Sequence, residues 1–317
     1  MKNIHGFIGT YGDKGIYEFS FDTSSKKFVH HDLYLQVKEA KYVSYDYETL
    51  VFPCNLDKPC VMANKSNLMH CNGTETHVAC YITQDEHYIY TANYHDGMVV
   101  RYHKGVHEIT LDKVIFIQEK AGTHQVLLTQ DEVIVPNCLL DNILIYERTS
   151  LELKRSIEFK EGTGPRHGVL SDDEATLYLL SVISCEVFSI NLKDHDRIVK
   201  SLCVLDEGQH ASAAAIRMSR DERFLYVSLR EINKLCVIDI INWCVVQSID
   251  CGGDHPRDMN ISKDDAYVFC VNRNTNDVTA FHRNTVSGIL TFVDRLSDIP
   301  EGVAIAFESG GKEHAKK

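Results

Sequence analysis

Imidazole and guanidinium side chains recur in this sequence at one kind of position, where a predicted strand begins or ends. The predicted strand starts carry His77, His124, Arg166, His167 and Arg257, and the predicted strand ends carry Asn93, Arg230 and Arg273. Guanidinium groups bind carboxylates and phosphates, and an imidazole can exchange a proton near neutral pH. If the fold gathers these side chains, they form a cationic pocket for an anionic small molecule.

The elements that would gather them are marked by a repeat. Six times the chain presents an apolar strand, a polar turn that contains Asp, and a second apolar strand. The turn residues, 39 to 48 positions apart, are Asp46, Asp85, Asp131, Asp173, Asp221 and Asp264. In the repeat that opens at His77, residues 77–83 and 87–93 are predicted as the first two strands. A strand-rich period near 40–45 residues indicates a β-propeller with one four-stranded antiparallel blade per repeat.

The two ends of the chain complete one more blade. Residues 4–35 hold three predicted strands, and residues 302–308 hold one. Placing the last strand inside the first three closes the ring and leaves no open sheet edge. We therefore predict an all-β, seven-bladed propeller that forms a single domain over residues 1–309. The polar residues 310–317 are predicted to be a flexible tail.

Antiparallel geometry predicts which face of the ring carries the chemistry. The start of the first strand and the end of the second lie at one end of a blade, and the turn between them lies at the other. The six Asp turns should share one face, where Asp in a turn has a structural role. A lone His or Arg at a strand end is also usually structural, but repeated placement on one face favours a site. We predict that Arg166, His167, His124 and Arg230 surround one pocket.

Composition narrows the class of protein. There are 33 basic and 45 acidic residues, so the net charge is -12, which disfavours a nucleic-acid partner. No apolar run reaches the roughly 18 residues of a membrane span, and the N-terminus reads directly into a strand rather than a secretory signal. The 11 cysteines, without a CxxC motif, indicate free thiols in a reducing compartment, so a cytoplasmic protein is expected. We expect a monomer or weak dimer.

No cofactor or metal is predicted. The sequence has no glycine-rich phosphate loop and no HExxH or GxSxG motif. Cys54 and Cys60 are close in sequence, but further ligands at suitable spacing are missing. We therefore expect a site without a metal ion, in which the chemistry rests on side chains alone.

Several phrases of the sequence resemble one known family. They lie at residues 7–22, 77–103, 162–180, 219–240 and 255–290, and include Gly-Pro-Arg-His ending at His167. Together they resemble the seven-bladed lactonase family typified by bacterial 6-phosphogluconolactonase, which also includes the fungal carboxy-muconate lactonizing enzyme. The resemblance covers nearly the whole chain. It implies the propeller fold and a metal-independent opening or closing of a lactone.

The resemblance also assigns functional residues. It places the family's histidine at His124 and its arginines at Arg166 and Arg230. The chain departs from the family pattern at Val182, where the family has an acid, and at Arg273, where the family usually has Gln. It also has Leu229 where the family has Asn.

The leading hypothesis is hydrolysis of 6-phosphogluconolactone to 6-phosphogluconate in the pentose phosphate pathway. Either His124 or His167 would be the general base, and Arg166 and Arg230 would hold the carbonyl or oxyanion. Arg257 and Arg273 would bind phosphate, and His77 and Asn93 would add substrate contacts. Two alternatives remain: a muconate-type lactonizing cycloisomerase, and a non-catalytic propeller that binds an anionic metabolite or a protein.

Overall fold

The architecture was examined in a computed structural model, which describes residues 3–65 and 67–308. Over these residues the chain forms 28 strands and no helix. The strands make seven antiparallel sheets of four strands each, arranged as the blades of a ring. The predicted seven-bladed propeller is confirmed. The predicted tail, residues 310–317, and residue 309 of the predicted domain lie outside the described residues.

The strands follow the chain from blade to blade, with the first blade sharing both ends of the sequence. Blade 1 consists of β28 (Gly302–Phe307), β1 (Asn3–Thr10), β2 (Ile16–Asp22) and β3 (Lys27–Leu35), and blade 2 of β4 (Ser44–Asp46), β5 (Thr49–Asn55), β6 (Pro59–Asn64) and β7 (Leu68–Asn72). Blade 3 consists of β8 (Tyr81–Gln84), β9 (Tyr88–Asn93), β10 (Met98–Lys104) and β11 (Ile109–Phe116). Blade 4 consists of β12 (Leu127–Leu128), β13 (Glu132–Asn137), β14 (Asn142–Glu147) and β15 (Leu153–Glu158). Blade 5 consists of β16 (Pro165–Leu170), β17 (Thr176–Ser181), β18 (Glu186–Asn191) and β19 (Arg197–Cys203). Blade 6 consists of β20 (Ala213–Met218), β21 (Phe224–Leu229), β22 (Lys234–Asp239) and β23 (Cys244–Asp250). Blade 7 consists of β24 (Pro256–Ile261), β25 (Tyr267–Asn272), β26 (Asp277–Arg283) and β27 (Leu290–Leu296).

The C-terminal strand closes the ring as predicted. β28 is the innermost strand of blade 1 and pairs antiparallel with β1, with Ile8 opposite Ile305. Blade 1 then packs on blade 7 through apolar side chains that include Phe21 and Phe269. Closure removes the free sheet edges at which another chain could pair.

Apolar side chains fill the space between neighbouring blades. Each of the seven interfaces has its own buried cluster within the described part of the chain. The second and third strands of a blade alternate buried side chains toward both neighbouring blades, whereas the outermost strands are largely exposed. A blade is therefore stabilised by its neighbours, as expected for a repeat protein.

The recurring Asp turns are built by local hydrogen bonds. In blade 5 the Ser171 hydroxyl donates to Asp173 at 2.6 Å, and the same carboxylate accepts the backbone N–H of Ala175 at 2.9 Å. Ser219 with Asp221, and Ser262 with Asp264, repeat this arrangement. These carboxylates therefore serve the turn, as Asp side chains commonly do.

The inner strand of blade 3 is shorter than predicted. The predicted strand 77–83 begins only at Tyr81, and His77 lies before it. The cause is the Asp96 carboxylate, which accepts the backbone N–H groups of Thr76 at 2.7 Å and His77 at 3.0 Å. These bonds hold Thr76 and His77 against the β9–β10 loop.

Candidate active site

A β-bulge at the start of blade 5 sets two consecutive functional side chains. Pro165 pairs with Ser181 and His167 pairs with Leu180, so Arg166 is an extra residue in β16. Side chains alternate between faces in a regular strand, and a bulge breaks that alternation. Arg166 and His167 can therefore both contact the same void in the channel wall.

Blade 7 repeats the device. Pro256 pairs with Asn272 and Asp258 with Val271, which makes Arg257 the extra residue of β24. Arg257 and Asp258 both contact the same void as Arg166. In both blades Pro occupies the first position of the strand, where it removes no interior ladder bond.

Blade 6, which lies between these two, has small side chains at the equivalent place. β20 begins Ala213-Ala214-Ala215, and all three residues are fully buried. The guanidinium of Arg166 reaches across to this blade and its Nη1 donates to the carbonyl oxygen of Ala214. The alanines leave room for the arginine, and the carbonyl fixes its position.

These elements enclose a cavity of about 280 Å³ at the channel mouth. Of the predicted site residues, His124, Arg166, Arg230 and Arg257 line it. The other lining residues are Tyr11, Lys41, Val78, Cys80, Tyr94, His95, Cys138 and Val182. Arg166 and Arg230 are thus on the same face, and the cavity has the size of a small metabolite.

The charge of this cavity is uniformly positive. No Asp or Glu is among its lining residues, and no described carboxylate pairs with Arg166, Arg230 or Arg257. Arg166 is only 3% exposed. Burial, with the charges of Arg257 and Arg230, lowers the pKa of Arg166 to about 9, so it stays protonated at neutral pH. A bound anion would relieve this repulsion.

Two histidines continue from Arg166 as a chain of contacts. Nη1 of Arg166 lies 3.1 Å from Nδ1 of His167, and Nε2 of His167 lies 3.1 Å from Nδ1 of His124. Both imidazoles are buried, at 2% and 6% exposure. Burial and the charge of Arg166 lower the pKa of both rings well below 6.5, so both are neutral at pH 7.

A second, smaller void lies beside the first. It measures about 10 Å³, close to the space of one water, and contacts Arg166, Arg257, His124, His167 and Asp258. The Asp258 carboxylate is engaged elsewhere: it accepts from Arg217 at 2.8 Å and from the backbone N–H of Ile305 at 3.1 Å. It is therefore not a free base for the cavity.

Four predicted residues do not line the cavity: His167 touches only the smaller void, and His77, Asn93 and Arg273 lie elsewhere. His77 is about half exposed and bonds the Asp96 carboxylate at 2.7 Å. The amide of Asn93 binds backbone groups of His77, His95 and Asp96, which organises the β9–β10 loop. Arg273 pairs with Glu301 at 3.0 Å and lies over the ring of Tyr11, 4.4 Å from its centroid. Arg273 thus meets the cavity wall only through Tyr11.

The sequence reasoning did not select Lys41, Tyr11 or Tyr94. Lys41 opens blade 2, a position like those of Arg166 and Arg257 in their blades. Tyr11 follows β1, the second strand from the inside of blade 1, just as Tyr94 follows β9. Comparing equivalent positions in every blade, including the first two, would have found all three.

The two cavity cysteines do not offer a nucleophile at neutral pH. Burial raises the pKa of Cys138 to about 12 and raises that of Cys80 as well. Their thiols therefore stay protonated, and only a thiolate is strongly nucleophilic. Over residues 3–65 and 67–308, no group of three or more His, Cys, Asp or Glu side chains is placed to hold a metal ion. Nor does this part of the chain contain a helix that could cross a membrane.

The sequence profile described as "Lactonase, 7-bladed beta-propeller" matches residues 5–307. The chain belongs to this lactonase family. The match covers all seven blades and confirms the resemblance drawn from the sequence phrases.

Individual relatives agree with the family assignment. An uncharacterised protein of Staphylococcus saprophyticus is 25% identical, over 95% of this chain and 98% of its own. The crystal structure of a Lactobacillus plantarum protein superposes with a TM-score of 0.88 at 26% identity, covering 97% of this chain and all of that one. A candidate 6-phosphogluconolactonase of Bacteroides fragilis superposes with a TM-score of 0.85 at 20% identity, over 97% and 98% of the two chains, and this likeness shows the fold alone.

Proposed function

We propose that this lactonase-family protein hydrolyses a sugar lactone that carries a phosphate, with 6-phosphogluconolactone as the first substrate to test. The observation that carries the proposal is the cavity itself. Arg166, Arg230, Arg257 and Lys41 line one enclosed space in which no lining residue is acidic. A phosphorylated lactone brings an anion at one end and an electrophilic carbonyl at the other, and both suit such a cavity.

The arginines would act on the reacting carbonyl. Water attacks the carbonyl carbon, and the carbonyl oxygen becomes an oxyanion that Arg166 and Arg230 stabilise with N–H donors. The ring C–O bond then breaks, one proton of the water ends on the ring oxygen, and the other leaves to solvent because the product is a carboxylate. Removal of one such donor typically costs about 2.7–4 kcal/mol of transition-state stabilisation.

The remaining groups divide binding from chemistry. Arg257 and Lys41 bind the phosphate, and Arg273 supports Tyr11 from the rim. Of His124 and His167, His124 lines the main cavity, whereas His167 touches only the smaller void. Of the two histidines considered as the reactive group, His124 is therefore the one placed against the substrate.

A lactonizing cycloisomerase is the second candidate, and Val182 is the observation that favours it. Val182 lines the cavity where the resemblance would place an acid. In lactone formation the substrate's own carboxylate adds to a C=C bond and the neighbouring carbon takes up a proton, so the protein must deliver a proton but needs no base to activate water. A muconate-type polycarboxylate would meet the same arginines.

We also propose a reducing location, such as the cytoplasm. All 11 cysteines are free thiols, and Cys54 and Cys60 face each other across β5 and β6 with their sulfurs 3.3 Å apart. An oxidising compartment would favour a bond between such a pair. The pentose phosphate pathway, and a monomer or weak dimer, remain parts of the same proposal.

A pH-stat assay tests the function. Wild-type protein is added to 6-phosphogluconolactone, with and without chelator, and acid release is compared with the spontaneous rate. We expect acceleration that chelator does not remove, and little acceleration with Arg166→Ala. The unphosphorylated lactone should react with a higher KM. A rate equal to the spontaneous one, together with turnover of a carboxymuconate, would replace the proposal with the cycloisomerase; saturable lactone binding without turnover would indicate the non-catalytic propeller.

A further inference from the structure

We infer that Arg166, acting through His167, fixes His124 in the tautomer that presents an N–H group to the cavity. His124 is then a hydrogen-bond donor to the ligand rather than the general base expected from the sequence. The tautomer follows from the contacts alone. Only its consequence for hydrolysis rests on the proposed function.

The first step is the arginine. A guanidinium has five N–H donors and no acceptor. Nη1 of Arg166 carries two of them; one is directed to the carbonyl oxygen of Ala214, and the other faces Nδ1 of His167 at 3.1 Å. Nδ1 of His167 must therefore be the acceptor, without a proton.

The second step passes the polarity to the next ring. A neutral imidazole carries one proton, so the His167 proton must be on Nε2. Nε2 of His167 lies 3.1 Å from Nδ1 of His124 and donates to it. Nδ1 of His124 is then the acceptor, and the proton of His124 is on Nε2. The tautomer of a histidine is commonly set by the bond that its other nitrogen makes.

The surroundings of the pair agree with two neutral rings. Tyr81 lies edge-on to His167 and Tyr94 edge-on to His124, with ring centroids 5.7 and 6.0 Å apart. No carboxylate of the described residues bonds either imidazole, so neither ring has the partner that would stabilise an imidazolium. Nε2 of His124 has no bonding partner in the described parts of the chain and is left for a ligand.

The consequence concerns what the site recognises. His124 then joins Arg166, Arg230, Arg257 and Lys41 as an N–H donor at the cavity, whereas His95, the other imidazole of the lining, is not part of this relay. Such a site selects an acceptor-rich ligand and stabilises the oxyanion of a tetrahedral intermediate. His167 does not line the main cavity. It is a positioning residue that transmits the polarity of Arg166.

Nitrogen NMR of the free protein tests the relay directly. With ¹⁵N-labelled histidine, the shifts of a ring nitrogen distinguish a protonated from a bare atom, and His124→Gln identifies the signals of His124. We expect a protonated Nε2 and a bare Nδ1 in the wild type. The reverse pattern would overturn the inference, whatever the activity of the protein.

Two substitutions of His167 sharpen the test. His167→Gln keeps a donor toward His124, so the tautomer should persist and kcat/KM should fall less than about tenfold. His167→Glu offers only acceptors toward His124, so Nδ1 of His124 should be protonated in the ¹⁵N spectrum, whereas it is bare in the wild type. His103→Glu on the exposed face of β10 is the matched control and should change neither the tautomer nor kcat/KM.

The outcomes separate the two ideas. A His167→Glu protein in which Nδ1 of His124 stays bare would show that residue 167 does not set the polarity of His124, and the relay would be wrong. If the wild type hydrolyses no lactone, the proposed function fails, but the spectrum still decides the tautomer. Should either variant fail to fold, the wild-type spectrum alone decides it.

Discussion

Two arginines on the inner strands have opposite surroundings. Arg217 of β20 donates to Asp258 at 2.8 Å, and Arg166 of β16 has a backbone carbonyl and an imidazole but no acidic partner among the described residues. Arg217 lines the cavity on the Asp-turn side of the channel, and Arg166 lines the cavity on the other side. Arg217 thus belongs to a structural ion pair, whereas the charge of Arg166 is not neutralised by a described carboxylate, as expected of a group that binds an anionic ligand.

Size alone would favour the cavity on the other side of the channel. The cavity on the Asp-turn side measures about 460 Å³, against about 280 Å³ at the candidate site. Two of its polar side chains are already paired: the buried Gln125 bonds the backbone of Gly168, and the half-buried Asn260 bonds the carbonyl oxygen of Ile305. A buried charge without a partner is costly, so its presence in the smaller cavity points to function.

The largest expected effect comes from breaking the paired arginine. Arg217→Ala leaves the Asp258 carboxylate, only 2% exposed, without its cation. Loss of one partner of a buried pair typically costs about 3–5 kcal/mol. We expect the free energy of unfolding in urea to fall by this amount. Arg166→Ala, which strands no carboxylate, should cost less than about 1 kcal/mol; equal losses for the two variants would contradict the comparison.

Activity should show the reverse order. Arg166→Ala should lower kcat/KM for the lactone by roughly 10²–10³-fold, because an oxyanion donor is lost. Arg166→Lys should restore little, since an ammonium cannot reproduce the planar guanidinium. Arg273→Ala is the control: this arginine is half exposed, pairs with Glu301 and should change kcat/KM less than about tenfold. Arg166→Ala protein with wild-type rates would remove the catalytic assignment.

Lowering the pH should reduce the free energy of unfolding through the two histidines of the candidate site. His124 and His167 have pKa values lowered by burial and by Arg166, so the unfolded chain binds protons below about pH 6.5 while the folded protein does not. Stability from these rings is complete above the unfolded pKa and is lost as pH falls toward the folded pKa. Between pH 7 and 5.5 the loss should reach about 1.2 kcal/mol for each ring.

The double variant His124→Gln and His167→Gln isolates this contribution. Other buried groups act in the opposite direction, since burial raises the pKa of Glu75. The informative quantity is therefore the difference in pH slope between wild type and the double variant, measured by urea unfolding. Identical slopes would show that the histidines take up protons in the folded state.

The sequence allowed prediction of the ring and of half the site. Repeat spacing and strand direction placed His124, Arg166, Arg230 and Arg257 on one face, because both are properties of the backbone pattern. Regular alternation could not predict that Arg166 and His167 would reach one void, since that depends on a bulge that only the pairing register reveals. The Arg217–Asp258 pair joins residues 41 positions apart and has no local signature. His77 was predicted at the start of a strand, but its backbone N–H donates to the Asp96 carboxylate and β8 begins only at Tyr81.

The last prediction concerns a substitution that gives the arginines of the candidate site a carboxylate partner, as Arg217 has on the Asp-turn side. Val182 is half-buried at the cavity, and its backbone is held by Gly164 at 2.7 Å and by Ala213 at 3.3 Å. Val182→Glu would place a carboxylate beside Arg166 and Arg230, as Asp258 stands beside Arg217. We expect the free energy of unfolding to rise by about 1 kcal/mol, within the range of a partly buried charge-assisted hydrogen bond.

Inorganic phosphate, which should stabilise the wild type by binding its folded state, should stabilise this variant much less, because the new carboxylate pairs with the cations that would bind phosphate. Val182→Gln has the same size without the charge and should keep the phosphate effect. For the lactone, KM should rise, and kcat should rise too, since the carboxylate supplies the base that the wild-type cavity lacks. Equal phosphate stabilisation of the wild-type, Val182→Gln and Val182→Glu proteins would show that the arginines of this cavity are not an anion-binding site.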